Sequence, residues 1–283
     1  MRYNLLISFA CLSLVTGPAP GLGQQRNDRT DPPEIGDRTD DRPAKGIQDN
    51  SFLIEEAYNQ EPGVVQAITA FRGQGSSRSL AFVHEFPLWS QTHQFSYSVP
   101  YSLRGESRRV RGVGDVLLNY RYQALFESDT SPAFAPRISL LLPTGSTTND
   151  TGSGSFGLQG NLPISKVVTD RITLHANAGV TSLFDVQGRT PLSFNVGGSA
   201  VYAVTRDLNV LFEAVGERIE SVSALRRLER DYVLTLSPGA RYAINLPDTQ
   251  IVIGAGAPIA FARNERPSYG AILYLSVESK LFQ

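Results

Sequence analysis

The chain has 283 residues, a formal net charge of −1 and 41% hydrophobic residues. That balance supplies no global basic field and excludes a general nucleic-acid binder. No apolar run reaches the ~20 residues a spanning helix requires, which excludes a helical membrane protein.

The first stretch, MRYNLLISFACLSLVTGPAPGLGQQ, carries Arg2 and then no charge until Arg26. Leu5 to Val15 is an apolar run of export-signal length, and Gly21-Leu22-Gly23 puts small residues at both recognition positions of a cleavage site. Residues 1–23 are therefore expected to be a cleaved signal peptide. Pro18 and Pro20 argue against a membrane anchor, and Cys11, after Ser8-Phe9-Ala10, sits in a poor lipidation context. Cleavage removes the only cysteine, so the exported chain is expected to fold without disulfides.

Residues 24–50 are dense in Asp, Arg and Pro and nearly free of large apolar side chains. Such a segment buries too little surface to offset its ordering entropy, and reads as a disordered periplasmic tether. Phe52, Leu53, Ile54 and Ala57 then precede a Pro62-Gly63 stop. Residues 51–63 read as a short helix or ordered hook, and as a candidate plug for whatever follows.

From residue 64 the hydropathy period becomes two and stays two. About twelve segments alternate: 64–72, 78–88, 93–103, 113–125, 134–144, 155–166, 171–183, 191–204, 207–217, 231–244, 249–262 and 269–282. In 113–125, Val116, Leu118, Tyr120 and Tyr122 alternate with Asp115, Leu117, Asn119 and Arg121. In 171–183, Ile172, Leu174, Ala176 and Ala178 alternate with Thr173, His175, Asn177 and Gly179. One set of connections is short: 89–92, 168–171, 205–206 and 245–248. The other set reads as longer and more polar: GQGSSRS, RGESRRVRG, TGSTTNDTGSGS and RIESVSALRRLERD. In the last of these, Ile219, Val222, Leu225 and Leu228 recur at three-residue steps and suggest a short helix at the barrel mouth.

A soluble sandwich alternates too, so alternation alone does not say what the apolar face touches. Three observations assign it to lipid. The segments run about ten to thirteen residues, against a usual five or six, and ten tilted residues climb the ~25 Å apolar band of a membrane barrel. Charges fall on the other face, with Ser, Gly, Asn and Thr around them, as a wet lumen requires. Tyr101, Tyr122, Tyr202, Tyr242 and Phe261 stand near segment ends on the apolar face, where aromatic girdles form. An even strand count then closes the sheet and leaves no edge in the bilayer. The expected fold is an all-β, transmembrane, antiparallel up-and-down β-barrel of about twelve strands, with a short N-terminal periplasmic segment. The chain end, ILYLSVESKLFQ, carries Phe282 second to last where barrels of this kind present a signal to the insertion machinery.

Catalytic chemistry finds no support in the sequence. His84, His93 and His175 make no metal-ligand spacing, no GxSxG is present, and no His–Ser pair lies one residue apart on a strand face. No enzyme activity, metal or cofactor is expected. The lumen-lining candidates are Asp115, Asn119, Arg121, Arg137, Lys166, His175, Asn177, Glu213 and Arg241, whose charges would set the ion preference of a pore. Arg104, Arg108, Arg109 and Arg111 form a basic loop suited to bridging lipopolysaccharide phosphates at the outer rim. The expected partners are outer-membrane lipid and lipopolysaccharide, the barrel-insertion machinery and a small-molecule solute.

The runs SFLIEEAYNQEPGVVQ, GVGDVLLNYRYQ, PRISLLLPTGS and LQGNLPISK resemble an outer-membrane transporter family labelled for the meta-pathway of phenol degradation, porin-like β-barrels. The resemblance covers about residues 51–283, and GVGD at 112–115 and LLPTG at 141–145 are its most specific parts. It implies an outer-membrane channel that admits small solutes, aromatic or other hydrophobic compounds among them. The alternative expectation is a non-conducting barrel with a structural or surface-binding role through its arginine loops.

Overall fold

The computed structural model describes residues 47, 51–104 and 110–280. The expected signal peptide at 1–23, nearly all of the 24–50 tether, Arg108, Arg109 and Phe282 lie outside the described residues. Sixteen β-segments follow one another in an antiparallel meander. They are β1 (Val64–Gln74), β2 (Ser77–Leu88), β3 (Ser90–Arg104), β4 (Val110–Val113), β5 (Val116–Tyr122), β6 (Ala133–Phe134), β7 (Arg137–Leu142) and β8 (Gly157–Asn161). There follow β9 (Ile164–Thr169), β10 (Ile172–Leu183), β11 (Leu192–Ala203), β12 (Leu208–Val222), β13 (Leu228–Asn245), β14 (Thr249–Gly256), β15 (Ile259–Ala262) and β16 (Ser268–Lys280).

Four pairs of consecutive segments, β4/β5, β6/β7, β8/β9 and β14/β15, are single barrel strands with a break, so the barrel has twelve strands. Three of the breaks fall at Pro136, Pro163 and Pro258, which have no N–H to give to the ladder. The fourth is Gly114-Asp115. The first and last strands pair along their length, from Val64 opposite Lys280 to Gln74 opposite Gly270, and so close the sheet. Closure leaves no free first or last strand, as the bilayer demands.

The two wall faces are inverted relative to a soluble protein. Phe212 is 51% exposed while its neighbour Glu213 is fully buried; Leu234 is exposed while Thr235 is buried. Outward positions are Phe, Leu, Val and Tyr, and inward positions are Gln, Asn, Ser, Arg and Glu. Tyr122, Tyr202 and Tyr242 mark one rim on the outer face, and Tyr101, Tyr232, Phe261 and Tyr269 the other. Twelve strands, closure and lipid-facing alternation thus bear out the fold expected from the sequence.

Three local expectations differ. Residues 73–79 are a tight hairpin rather than a loop: β1 and β2 run up to a turn at Gly75-Ser76, with Gly75 at φ +54°, a value that favours glycine. The stretch 218–231 forms no helix. It continues β12 and β13 in register to Val222 opposite Leu228, with Glu220 opposite Arg230 and ion-paired to it. Ladder hydrogen bonds and that cross-strand ion pair override a weak three-residue periodicity. Residues 51–60 hold no helical turn. Six of their ten backbone N–H groups donate to wall side chains in place of an i−4 carbonyl.

Candidate functional site

The lumen is polar, and it is occupied by residues 51–60. The segment makes a circuit of the inner wall before the chain enters β1. Ser51 Oγ meets Ser199 Oγ on β11 at 2.7 Å. The Phe52 ring lies against Gly239 of β13 and Gly254 and Gly256 of β14, with the Tyr274 ring of β16 at 5.6 Å. The Leu53 and Ile54 N–H groups donate to Glu213 Oε1 on β12 at 2.7 and 3.1 Å. Glu55 exchanges two bonds with Asn177 of β10: its N–H donates to Asn177 Oδ1 at 2.7 Å and its carbonyl accepts from Asn177 Nδ2 at 2.8 Å. The Ala57 N–H donates to Ser165 Oγ of β9 at 2.8 Å, Asn59 N–H to Gln123 Oε1 at 2.9 Å, and Gln60 N–H to Gln94 Oε1 of β3 at 2.7 Å. These N–H groups are shared among several elements of the wall, which replaces the water that the segment would otherwise need.

Arg121 of β5 is the hub. Its Nε donates to Asn59 Oδ1 at 2.7 Å, Nη2 to the Tyr58 carbonyl at 2.6 Å and Nη1 to the Glu56 carbonyl at 3.2 Å. Nη1 also pairs with Glu55 Oε1 at 3.1 Å, and Nη2 with Glu85 Oε2 at 3.6 Å. A single guanidinium thereby holds four residues of the segment, Glu55, Glu56, Tyr58 and Asn59, which its forked donors suit. The Tyr58 hydroxyl donates to Glu127 Oε2 at 2.6 Å. Burial first, and that carboxylate second, raise the Tyr58 phenol above its ordinary value. Ser165 Oγ, which accepts from Ala57, also meets His175 Nδ1 at 2.7 Å. A serine–histidine contact therefore exists across β9 and β10, and the segment backbone covers its serine.

At the barrel end away from Val64 and Lys280, the 143–156 connection folds back on the break between β4 and β5. Asp115 Oδ1 accepts from Gly145 N–H at 3.0 Å, and Oδ2 accepts from Ser153 N–H at 2.7 Å and Ser153 Oγ at 2.6 Å. Thr144 Oγ1 accepts from Val116 N–H and donates to the Gly114 carbonyl, both at 2.9 Å. Gly145 and Gly152 approach so closely that a Cβ on Gly145 would lie 2.6 Å from Gly152 Cα. GVGD and LLPTG, distant in sequence, are thus the two halves of one latch.

Residues 58–275 match the family described as "Putative MetA-pathway of phenol degradation". The chain belongs to this family. In fold it is similar to the COG4313 outer membrane channel from Pseudomonas putida F1, with 11% identity, a TM-score of 0.61, and 79% of this chain and 97% of that chain covered. It is also similar to the KdgM porin in complex with disordered oligogalacturonate, at 10% identity and a TM-score of 0.49, covering 77% of this chain and 99% of that one. No curated protein sequence matches the chain. The resemblance carried by the sequence runs is therefore to the family that the chain belongs to.

Within this family barrel, the structure places Asn119, Arg121, Arg137, His175, Asn177, Glu213 and Arg241 on the inner wall. Asn119 Nδ2 donates to Ser96 Oγ at 3.0 Å, and Arg241 Nη2 to the Ile47 carbonyl at 3.2 Å. Asp115 serves the latch. Lys166 is not on the inner wall. Gln159, Asn161, Pro163 and Ser165 take the inward positions of this broken strand, which puts Lys166 on the outer face opposite Leu174. Its Nζ reaches Glu127 Oε1 at 3.0 Å in the connection between β5 and β6, as a lysine at a membrane rim does. Of the basic loop, Arg111 is exposed on β4, and the side chain of Arg104 lies, like Arg108 and Arg109, outside the described residues.

Sequence reasoning missed Glu55, Glu85 and Ser165, and the glycine seat for Phe52. The seat had a signal: Gly254 and Gly256 are two apart and so share a strand face, where a lipid-facing or lumen-lining strand would otherwise carry side chains.

Proposed function

We infer that the protein is a passive outer-membrane channel for small solutes, narrowed from within by residues 51–60. The observation that carries this reading is the closed barrel whose inner face is charged and amide-bearing while its outer face is apolar. An inner face of that kind favours water and polar solutes when the segment withdraws. Membership of the family supports aromatic compounds among the solutes. Single-channel recording in planar bilayers tests it. The intact protein should give small or rare current steps, and a chain lacking residues 51–61 should give larger and steadier ones. Equal conductance of the two would overturn the role given to the segment, and absence of steps from both would overturn the channel.

The finer placement belongs to the same reading. Export uses residues 1–23 as a cleaved signal, both chain ends face the periplasm, and insertion machinery reads the C-terminal strand. The arginines at 104–111 face lipopolysaccharide. Residues 24–50 tether the segment, and their composition leaves it free to leave and return.

A second reading is favoured by one observation. Arg121, Glu213, Gln159 and Ser165 are each at most 2% exposed, so the lumen at their level is filled. A barrel that never releases the segment would be a non-conducting structural protein, and the deletion would then conduct where the intact chain does not under any condition.

A further inference from the structure

The Glu55 carboxylate sits in a receptor built by the wall. Oε1 lies 3.1 Å from Arg121 Nη1 and 3.0 Å from Arg137 Nε, and Oε2 accepts from Asn161 Nδ2 at 2.8 Å. Arg121 and Asn161 donate hydrogen bonds and Arg137 meets the carboxylate as an ion pair; the three are direct cross-strand neighbours, Arg121 of β5 opposite Arg137 of β7 and Arg137 opposite Asn161 of β8. Their spacing is thus set by ladder register and not by the segment. Two arginines directly opposite one another repel, and burial sharpens that repulsion. An anion between them relieves it. Arg121 is buried and Arg137 mostly so, and the row therefore calls for a negative charge and presents one charge-assisted donor to each carboxylate oxygen, Arg121 Nη1 to Oε1 and Asn161 Nδ2 to Oε2.

We propose that Arg121, Arg137 and Asn161 form a binding site for small monocarboxylate solutes, and that Glu55 is its built-in occupant, displaced when a solute carboxylate binds. The proposal rests on the channel reading above, since the solute must reach the lumen. Beyond its Cβ, the Glu55 side chain presents to the wall only an acetate-like group on one methylene, so nothing in the recognition is specific to a peptide. A tethered group competes at an effective concentration on the order of millimolar. A solute carboxylate at comparable concentration therefore competes on even terms, and each displacement withdraws the centre of the segment from the wall. The site thus couples the arrival of a carboxylate to opening.

The test uses benzoate and benzamide, its neutral analogue of the same shape, titrated by calorimetry into the folded protein in detergent. Glu55→Ala should bind benzoate at least about tenfold tighter than the intact chain, because the internal competitor is gone. Adding Arg137→Gln to Glu55→Ala should abolish the gain, and benzamide should distinguish none of the three. In the unmodified protein, benzoate but not benzamide should speed hydrogen exchange at the amides of Leu53 to Gln60. Equal benzoate affinity with and without Glu55, or benzamide binding as tightly as benzoate, overturns the site. Where a variant fails to give the heat-dependent gel shift of a folded barrel, the exchange measurement on the unmodified protein decides alone. Bilayer currents keep the two readings apart. Tighter benzoate binding by Glu55→Ala with no current from any form overturns the channel and leaves the site. Current without any preference for benzoate over benzamide overturns the site and leaves the channel.

Discussion

The Phe52 ring fills the space that a side chain at Gly254 would occupy: a Cβ there would lie 2.7 Å from Phe52 Cε1 and Cζ. Gly239 and Gly256 are as tight, at 2.5 and 2.9 Å from the same ring. The seat is therefore made by omission of side chains on two adjacent strands. Gly254→Val should expel Phe52 without opening the barrel, since Gly254 keeps its ladder partners Arg241 and Tyr274. The expected result is a folded, heat-shiftable barrel with larger bilayer currents. Phe52→Ala should act in the same direction, and unchanged currents from both would show that Phe52 does not anchor the segment.

Arg121 should matter more than any other wall residue to the segment and little to the barrel. Arg121→Gln removes the donors to Asn59 and to the Tyr58 and Glu56 carbonyls, and leaves Glu55 with Arg137 and Asn161. Breaking one partner of a buried ionic cluster costs about 3 kcal/mol. At 1.36 kcal/mol per decade this speeds amide exchange at residues 53–60 by about a hundredfold. Strand amides, measured in the same experiment, should not change.

The barrel was legible because a period of two survives over most of the chain, and because charge and aromatic position both depend on which face meets lipid. Side-chain placement follows strand parity, even across the breaks. Arg121, Arg137, His175 and Glu213 share the inward parity of their strands, whereas Lys166 is one residue out of step with Gln159, Asn161, Pro163 and Ser165, and its charge alone suggested an inward place. The Ile219 to Leu228 spacing suggested a helix because sequence shows three-residue steps but not the partner strand that captures them. The conformation of residues 51–60 is beyond local reasoning, although their apolar start reads as an ordered hook or plug. It is set by distant donors and acceptors such as Gln94, 34 residues from Gln60, and Glu213, 160 residues from Leu53.

The assignment of the outer face to lipid has its own consequence at the adjacent pair Phe212 and Glu213. Phe212→Arg puts a charge on the outer face near the middle of β12, at a cost of about 2–4 kcal/mol in a bilayer. Insertion into vesicles should fall. Glu213→Gln, one residue away but inward, should insert as well as the intact chain and loosen only the Leu53 and Ile54 amides.

Asp115 separates the latch from the lumen. Its two oxygens accept three hydrogen bonds from Gly145 and Ser153, and charged acceptors of this kind contribute about 1.5–3 kcal/mol each before coupling. Asp115→Ala should therefore free the 143–156 connection while β5 and β7 stay paired through Val116 opposite Leu142. Limited proteolysis should cut within 143–156 faster in the variant, and the barrel fragment should keep its heat-dependent gel shift. The latch lies at the opposite end of β5 from Arg121, so exchange at residues 53–60 should not follow. Were both to change together, the connection and the segment would be one mechanical unit, and the distinction drawn here between a fixed outer latch and a displaceable inner segment would fail.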